Sequence, residues 1–311
     1  MTDQLKKYLL PDHTARIQAV KLTDAWQAGL EHQHYPACVQ TLLGELLAAA
    51  VLLTSNIKFD GTLVLQLQGD GPIALIVVEC TADLNIRATV TLREGHDVPA
   101  DGTLQNLLNT HGEGRFVVIL DPRQRDAAMQ PYQGIVPLEG TTVAQVLEHY
   151  MRSSEQLDTR LWLAADARHS AGLLIQRLPD QGGKVDRNAA TSQESWERLT
   201  ILADTVKRDE LIALDTDTVI KRLFWEEELL LFDPEKVVWH CPCNRERVAN
   251  MLVMLGADEV ASILVERSRI DIACNFCGKP YQFDAVDCAQ LFVDAGSAAP
   301  AQASNTSLSI H

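Results

Sequence analysis

The chain has 311 residues, 46% of them hydrophobic and 22% charged, which is typical of a globular protein with room for two or three modules. Its formal net charge of −15 argues against a surface that binds nucleic acid or an anionic membrane. The N-terminal apolar patch is broken by Pro11 and Asp12, so we expect no signal peptide, and the longest apolar run, residues 46–53, is too short to span a bilayer. A cytoplasmic protein is expected, where clustered cysteines more often bind metal or carry out redox chemistry than form stable disulfides.

Helix and strand patterns alternate over the first part of the chain, which predicts a mixed α+β domain at residues 1–180. Residues 39–53 are apolar on nearly all sides, as expected for a helix buried within a domain. Residues 84–92 alternate with period two and predict a strand with one buried face. Strand patterns on both sides of the Asp-Gly pair at 70–71 predict a hairpin. Further strand or helix patterns follow at residues 115–122, 141–157, 160–167 and 171–179.

A polar, glycine-containing stretch then marks the start of a helical linker, which we place at residues 181–236. Thr191 and Glu194 suit a capping box at the start of one helix, and residues 215–228 predict a second, shorter helix. Because isolated helices of this length are marginal in water, we expect the apolar stripe of the first one to be buried against a neighbour. That stripe comprises Trp196, Leu199, Ala203 and Val206.

The strongest chemical signal is a C-x-C pair separated by residues 244–273 from a C-x-x-C pair. Four thiolates suit tetrahedral Zn²⁺, and two close pairs around an insert are how small zinc modules are built. The sequence of the insert predicts two helices separated at Gly256, followed by a hairpin that carries the second cysteine pair on its turn. We therefore predict a zinc module at residues 237–293 and a disordered tail at residues 294–311. The candidate ligands are Cys241, Cys243, Cys274 and Cys277.

The C-x-C spacing indicates more than a structural metal site. Once oxidised, this pair would close a very small ring, and a strained disulfide of that kind is labile and regulatory. Structural zinc contributes about 10 to 16 kcal/mol in small peptides, whereas a fold of this size rarely has more than roughly 3 to 5 kcal/mol of its own. Loss of the thiolates is therefore expected to unfold the module.

Other candidate residues have simpler explanations. Cys38, Cys80 and Cys288 lie in apolar or helical settings typical of inert packing, although Cys288 is near enough in sequence to Cys277 to capture a partner thiol. His240 adjoins the first pair and could substitute as a ligand, but with four cysteines present it is better interpreted as a strand-end residue.

Two alternative functions remain at this point. A zinc ribbon that binds nucleic acid is disfavoured, because residues 237–293 carry five Lys and Arg against seven Asp and Glu. A thiol oxidoreductase is disfavoured because the C-x-x-C pair follows a strand in a hairpin and does not open a helix. The sequence has no Ser/His/Asp set, metallohydrolase motif or nucleotide loop, so we predict no enzyme.

Six stretches, in chain order, carry a resemblance to a known family: IKFDG (57–61), LQLQGDGP (65–72), YQGIVPLEG (132–140), RSSEQLDTRL (152–161), HCPCNRERV (240–248) and CNFCGKPY (274–281). Together they resemble the redox-regulated 33 kDa heat-shock chaperone family, from about residue 5 to residue 290. Two departures are visible: Asn244 stands where the family usually has Ser, and AGLLIQ, from residue 171, replaces a double-Gly version.

This resemblance implies a bacterial cytosolic holdase that works without ATP and is inactive while reduced and loaded with one zinc ion on the four cysteines. Peroxide or hypochlorite would then form the disulfides Cys241–Cys243 and Cys274–Cys277, with loss of zinc. The zinc module and the linker would unfold and expose apolar surface to unfolding or oxidatively damaged clients. Active molecules would typically be homodimers.

Overall fold

The computed structural model describes residues 3–124, 131–179 and 189–297. The chain divides into two compact units, which we call unit 1 (residues 1–241) and unit 2 (residues 242–311). Helices and strands occur in both units, which confirms the predicted α+β class.

Unit 1 is built from antiparallel strands and a smaller number of helices. Its helices are α1 (Asp24–Leu30), α2 (Ala37–Thr54), α3 (Leu104–Leu108), α4 (Val143–Ser153), α5 (Ala189–Ala203), α6 (Arg208–Ala213) and α7 (Thr216–Leu223). Its strands are β1 (Gln4–Leu9), β2 (Ala15–Leu22), β3 (Gly61–Gln68), β4 (Ile73–Thr81), β5 (Asn85–Leu92), β6 (Arg115–Pro122), β7 (Tyr132–Pro137), β8 (Thr159–Ala165), β9 (Ser170–Arg177), β10 (Leu230–Leu231), β11 (Glu235–Lys236) and β12 (Val238–Trp239).

These strands form two sheets among the described residues. The first has the order β10-β1-β2-β9-β8, with β11 also paired to β1, and it is antiparallel throughout. The second has the order β12-β5-β4-β3-β6-β7, in which the pairing of β12 with β5 is parallel. The hairpin predicted around residues 70–71 is confirmed as β3 and β4. The period-two pattern is confirmed in β5, where Ile86, Ala88 and Val90 are buried, although Leu92 at its end is exposed.

Helix α2 forms the centre of unit 1. It contacts β2, β8 and β9 of the first sheet and β3, β4 and β5 of the second, which explains why it is apolar around its whole circumference. By length and composition alone it could cross a membrane, but 78% of it is buried inside the protein, as in the core helix of a globular domain. Gly172 on β9 permits this close packing, because a Cβ there would lie 2.8 Å from Leu52 Cδ1.

Helices α5, α6 and α7 cover the opposite face of the first sheet. Buried side chains of these helices, including Leu199 and Ala203, form one apolar cluster with side chains of β1, β2 and β9. The predicted capping box at Thr191 and Glu194 is wrong, because α5 begins at Ala189, two residues earlier, where alanines favour helix formation. Helix α6 was not predicted, and the first residues of the predicted linker, 181–188, lie outside the described residues.

Unit 2 combines helices with a two-stranded hairpin. Gly256 separates its first two helices as predicted, with φ +99° and ψ 153°, a positive-φ conformation that favours glycine and differs from the left-handed helical one. The last helix extends to Ser297, and residues 298–311 of the predicted tail lie outside the described residues. The elements are α8 (Arg245–Leu255), α9 (Ala257–Glu266), β13 (Arg269–Ala273), β14 (Pro280–Asp284) and α10 (Ala285–Ser297).

Candidate metal centre

Four cysteine side chains come together in a group that could hold a metal ion. Their Sγ atoms all lie within 4.8 Å of one another, and those of Cys243 and Cys277 are 3.4 Å apart. A tetrahedral ion with Zn–S bonds of about 2.3 Å requires sulfur separations of roughly 3.8 Å, whereas a disulfide bond is only about 2.05 Å long. The soft donor set and its spacing therefore fit a tetrahedral ion such as zinc. The group consists of Cys241, Cys243, Cys274 and Cys277.

The C-x-C pair lies between a strand end and a helix start. His240 follows β12, and its backbone N–H donates to the Ile86 carbonyl at 2.9 Å, which fixes the chain just before Cys241. Cys243 immediately precedes Asn244, the N-cap of α8, whose side-chain oxygen accepts from the Arg247 N–H at 2.8 Å. Asn and Ser are both good N-caps, so the departure at residue 244 preserves the local structure.

The C-x-x-C pair occupies the turn between β13 and β14. The Cys274 N–H donates to the Lys279 carbonyl at 3.0 Å, and the Gly278 N–H donates to the Cys274 carbonyl at 2.8 Å. Gly278 has φ +70°, a left-handed conformation that glycine adopts without steric cost. This tight turn places Cys274 and Cys277 next to each other, as the hairpin prediction required.

Cysteine exposure differs within the group and outside it. Cys241, Cys243 and Cys274 are partly exposed, whereas Cys277 is buried. Reactivity toward oxidants requires thiolate character together with access, and three of the four residues are partly exposed.

The remaining cysteines and His240 do not join this group of sulfurs in the described structure. Cys80 is fully buried, and burial raises its pKa to about 12. Cys288 belongs to the apolar core of unit 2, where burial raises its pKa. Cys38 donates to the Pro99 carbonyl at 3.3 Å, and His240 is an exposed strand-end residue. None of these four residues belongs to the group that could hold a metal ion among the described residues.

Tyr281 contacts the metal centre and was missed by the sequence reasoning. Its hydroxyl donates a hydrogen bond to Cys243 Sγ at 3.2 Å, and this bond is the main cause of its raised pKa. The residue lies on β14 opposite Ile272, and its side chain is buried. Alternation along β14 also buries Phe283, so the pattern Tyr-x-Phe after the C-x-x-C pair was the available signal.

Arg245 connects the helix that follows the first pair to the hairpin that carries the second. Its guanidinium lies 4.2 Å from the centre of the Phe283 ring and donates to the Gln282 carbonyl at 2.6 Å. It also forms an ion pair with Asp287 of α10 at 2.7 Å. Through these contacts, Arg245 links helix α8 to strand β14 and to helix α10.

Comparison with known proteins gives one family across nearly the whole chain. The sequence model described as "Hsp33 protein" matches residues 3–284. A protein named 33 kDa chaperonin from Methylobacillus flagellatus is 46% identical over 293 residues, covering 94% of this chain and 95% of the relative. The protein of the same name from Pseudomonas aeruginosa is 43% identical over 302 residues, covering 97% of this chain and 98% of the relative.

A solved structure has the same fold. The crystal structure of the 33 kDa chaperonin (heat shock protein 33 homolog) from Thermotoga maritima matches with a TM-score of 0.75 at 20% identity. The match covers 95% of this chain and 99% of that one. At this low identity the likeness shows a shared fold, which is preserved although four residues in five differ.

Proposed function

Since the chain belongs to the Hsp33 family, we propose that it is a heat-shock chaperone of the holdase type, independent of ATP and switched on by oxidation. The observation that carries this proposal is the group of four cysteine sulfurs within 4.8 Å of one another. Two alternatives, nucleic-acid binding and thiol-disulfide exchange, have no comparable support, because unit 2 is not basic and its C-x-x-C pair lies on a hairpin turn.

In the reduced state the four cysteines are proposed to hold one zinc ion. Bound zinc supplies cross-links between segments that are far apart in the sequence. Unit 2 would depend on them, because the apolar cluster in its described part contains eight buried residues and a core this small contributes little stability. The reduced, metal-loaded chain is therefore folded and inactive.

Oxidation is proposed to convert each close pair into a disulfide. The thiolates of Cys241 and Cys243 would together lose two electrons as one S–S bond forms, and so would those of Cys274 and Cys277. For each pair, one hydrogen peroxide molecule accepts the two electrons and takes two protons from water, its O–O bond breaks, and two water molecules result. Sulfurs joined in this way no longer provide four thiolates, so unit 2 loses its metal and unfolds.

The client surface is proposed to lie beneath the linker helices. In the described structure, α5, α6 and α7 cover an apolar face of the first sheet that includes Ile17, Leu173 and Ile175. Undocking of the linker, which we place at residues 181–236, would expose this face together with the apolar sides of the helices. Both are surfaces of the kind that binds unfolding polypeptides.

The remaining assignments follow the same reasoning. We propose unfolded or oxidatively damaged proteins as partners, a homodimer as the oxidised active form and the bacterial cytoplasm as the location. Residues 1–180 would serve as the core domain and residues 237–293 as the switch module. We assign the protein no catalytic reaction.

The test is light scattering of a heat-denatured model client, with zinc release followed in the same samples by a chromogenic chelator. Reduced, zinc-loaded protein should leave scattering unchanged, whereas protein treated with peroxide at elevated temperature should suppress it and release about one zinc ion per chain. The Cys274→Ser variant should lose zinc without oxidant. The matched control is Cys38→Ser, which should switch like the parent chain.

Three outcomes would contradict the proposal. Retention of zinc under oxidant, with the client aggregating as before, would make the metal purely structural. A salt-dependent shift of DNA mobility would support the nucleic-acid alternative. Turnover of a disulfide substrate would support the oxidoreductase alternative.

A further inference from the structure

We propose that Tyr281 is a positioning residue of the metal centre, and that its hydroxyl holds Cys243 in its ligand geometry and restrains the reaction of that thiolate with oxidant. The inference rests on the proposed redox function and assigns a role to a residue outside the set of four ligands. Its basis is the hydrogen bond of 3.2 Å from Tyr281 Oη to Cys243 Sγ.

The phenol ring of Tyr281 is held in place by the hairpin and by the apolar core of unit 2. Its backbone lies within the β13–β14 hairpin opposite Ile272, and only 7% of the residue is exposed. The ring belongs to the apolar core of unit 2, and the Lys279 ammonium lies 5.9 Å from its centre. A donor fixed in this way restricts the position of the sulfur that accepts from it.

The same hydrogen bond affects the chemistry of the sulfur. A thiolate attacks peroxide with a lone pair of electrons, and a hydroxyl that donates to the thiolate withdraws part of that electron density. Metal-ligand residues are generally oriented by such outer partners, and loss of a partner typically lowers metal affinity about 10- to 100-fold. Because the hydroxyl lies 3.2 Å from the sulfur of the partly exposed Cys243, it also occupies part of the space through which an oxidant would approach that sulfur.

The variant that tests this role is Tyr281→Phe in the full-length chain, because it removes the hydroxyl and keeps the buried ring. Competition with a chromogenic chelator should show a zinc affinity roughly 10- to 100-fold lower than that of the parent chain. Timed alkylation with mass spectrometry should show faster modification of Cys243 than in the parent. In the Co²⁺-loaded protein, the sulfur-to-cobalt charge-transfer band should shift.

Two control variants separate positioning from mere packing. Phe283→Leu alters another buried ring of β14, so it should destabilise unit 2 and speed modification of all four cysteines together. Tyr35→Phe removes a phenol that hydrogen-bonds with Val90 in unit 1, and it should change neither zinc affinity nor cysteine reactivity.

The outcomes distinguish this inference from the proposed function. The inference is overturned if Tyr281→Phe has the same zinc affinity, Cys243 reactivity and cobalt spectrum as the parent chain. It is also overturned if the variant increases the modification rate of all four cysteines equally, as Phe283→Leu should. In either case the parent chain can still release zinc and suppress aggregation. Failure of the parent chain to do so would instead contradict the proposed function.

Discussion

The Arg208 guanidinium forms an ion pair with the Glu45 carboxylate, and this pair joins linker helix α6 to the central helix α2. Glu45 is the only acidic residue of α2, and its side chain is 8% exposed. Arg208 also donates to the Ala165 carbonyl at the end of β8, at 2.9 Å. A docked linker therefore neutralises a carboxylate that is otherwise surrounded by the apolar core.

Removal of this ion pair should weaken docking of the linker. We expect Arg208→Ala to lower the free energy of unfolding of unit 1 by about 1 to 3 kcal/mol, because it leaves a buried carboxylate without its partner. Limited proteolysis should then cut the linker faster in the reduced, zinc-loaded chain. In the double variant Arg208→Ala/Glu45→Gln, part of the loss should be recovered. Strictly additive effects would show that the two side chains do not interact.

The pH dependence of stability should report on Glu45. Burial raises its pKa, and Arg208 opposes this effect. The folded pKa then lies above the unfolded value of about 4.3, so the folded state binds the proton more tightly. The contribution of Glu45 to stability is therefore fully present below the unfolded pKa and falls as pH rises through the folded pKa.

The comparison for this prediction is Glu45→Gln, which cannot titrate. The free energy of unfolding of the parent chain minus that of Glu45→Gln should decrease as the pH rises above the unfolded pKa of about 4.3. Chemical denaturation at a series of pH values measures the difference. An increase with pH would mean that the attraction of Arg208 outweighs burial and lowers the pKa.

Destabilising the linker from its apolar side should activate the chain without oxidant. Leu199 of α5 is fully buried in the cluster beneath the linker, and Leu199→Ala should cost about 2 to 5 kcal/mol. The reduced, zinc-loaded variant should suppress client aggregation partially. Ile201 lies on the same helix but is 66% exposed, so Ile201→Ala is a matched control that should behave like the parent. Equal aggregation with both variants would argue against a client surface beneath the linker.

The turn between Cys274 and Cys277 should be sensitive to its glycine. Gly278 has φ +70°, and Gly278→Ala should cost about 1 to 2 kcal/mol because a Cβ is strained in this conformation. Zinc affinity measured by chelator competition should fall accordingly, roughly 5- to 30-fold. Gly95→Ala introduces the same strain at φ +73° in unit 1 and should leave zinc affinity unchanged. A similar loss in both variants would contradict a local effect of the turn.

Removal of metal from the reduced chain should unfold unit 2 and leave the sheets of unit 1 intact. We expect a strong chelator to abolish hydrogen-exchange protection in α8, α9 and the β13–β14 hairpin, because the cysteines would no longer be cross-linked. Protection of α2 should persist, since its contacts lie within unit 1. Retained protection throughout unit 2 would show that its apolar core suffices without metal.

The sequence by itself determined the elements whose signals are local. The all-round apolar character of α2 and the alternation in β5 each lie within one run of consecutive residues, and both are present as predicted. The cysteine spacings and the break at Gly256 are local in the same sense. The observed elements agree with these patterns because backbone geometry and burial periodicity depend on residues that are close in sequence.

Only the tertiary structure decided which distant residues meet. The pairing of Arg208 with Glu45 spans 163 positions, and the hydrogen bond from Tyr281 to Cys243 spans 38. No periodicity encodes either contact, since each depends on how separate elements pack. The start of α5 was misplaced for a related reason: a Thr-x-x-Glu pattern is compatible with a cap or with a helix interior, and here the helix continues past it. Local sequence thus specifies elements and spacings, while long-range packing selects contacts such as Arg208 with Glu45 and Tyr281 with Cys243.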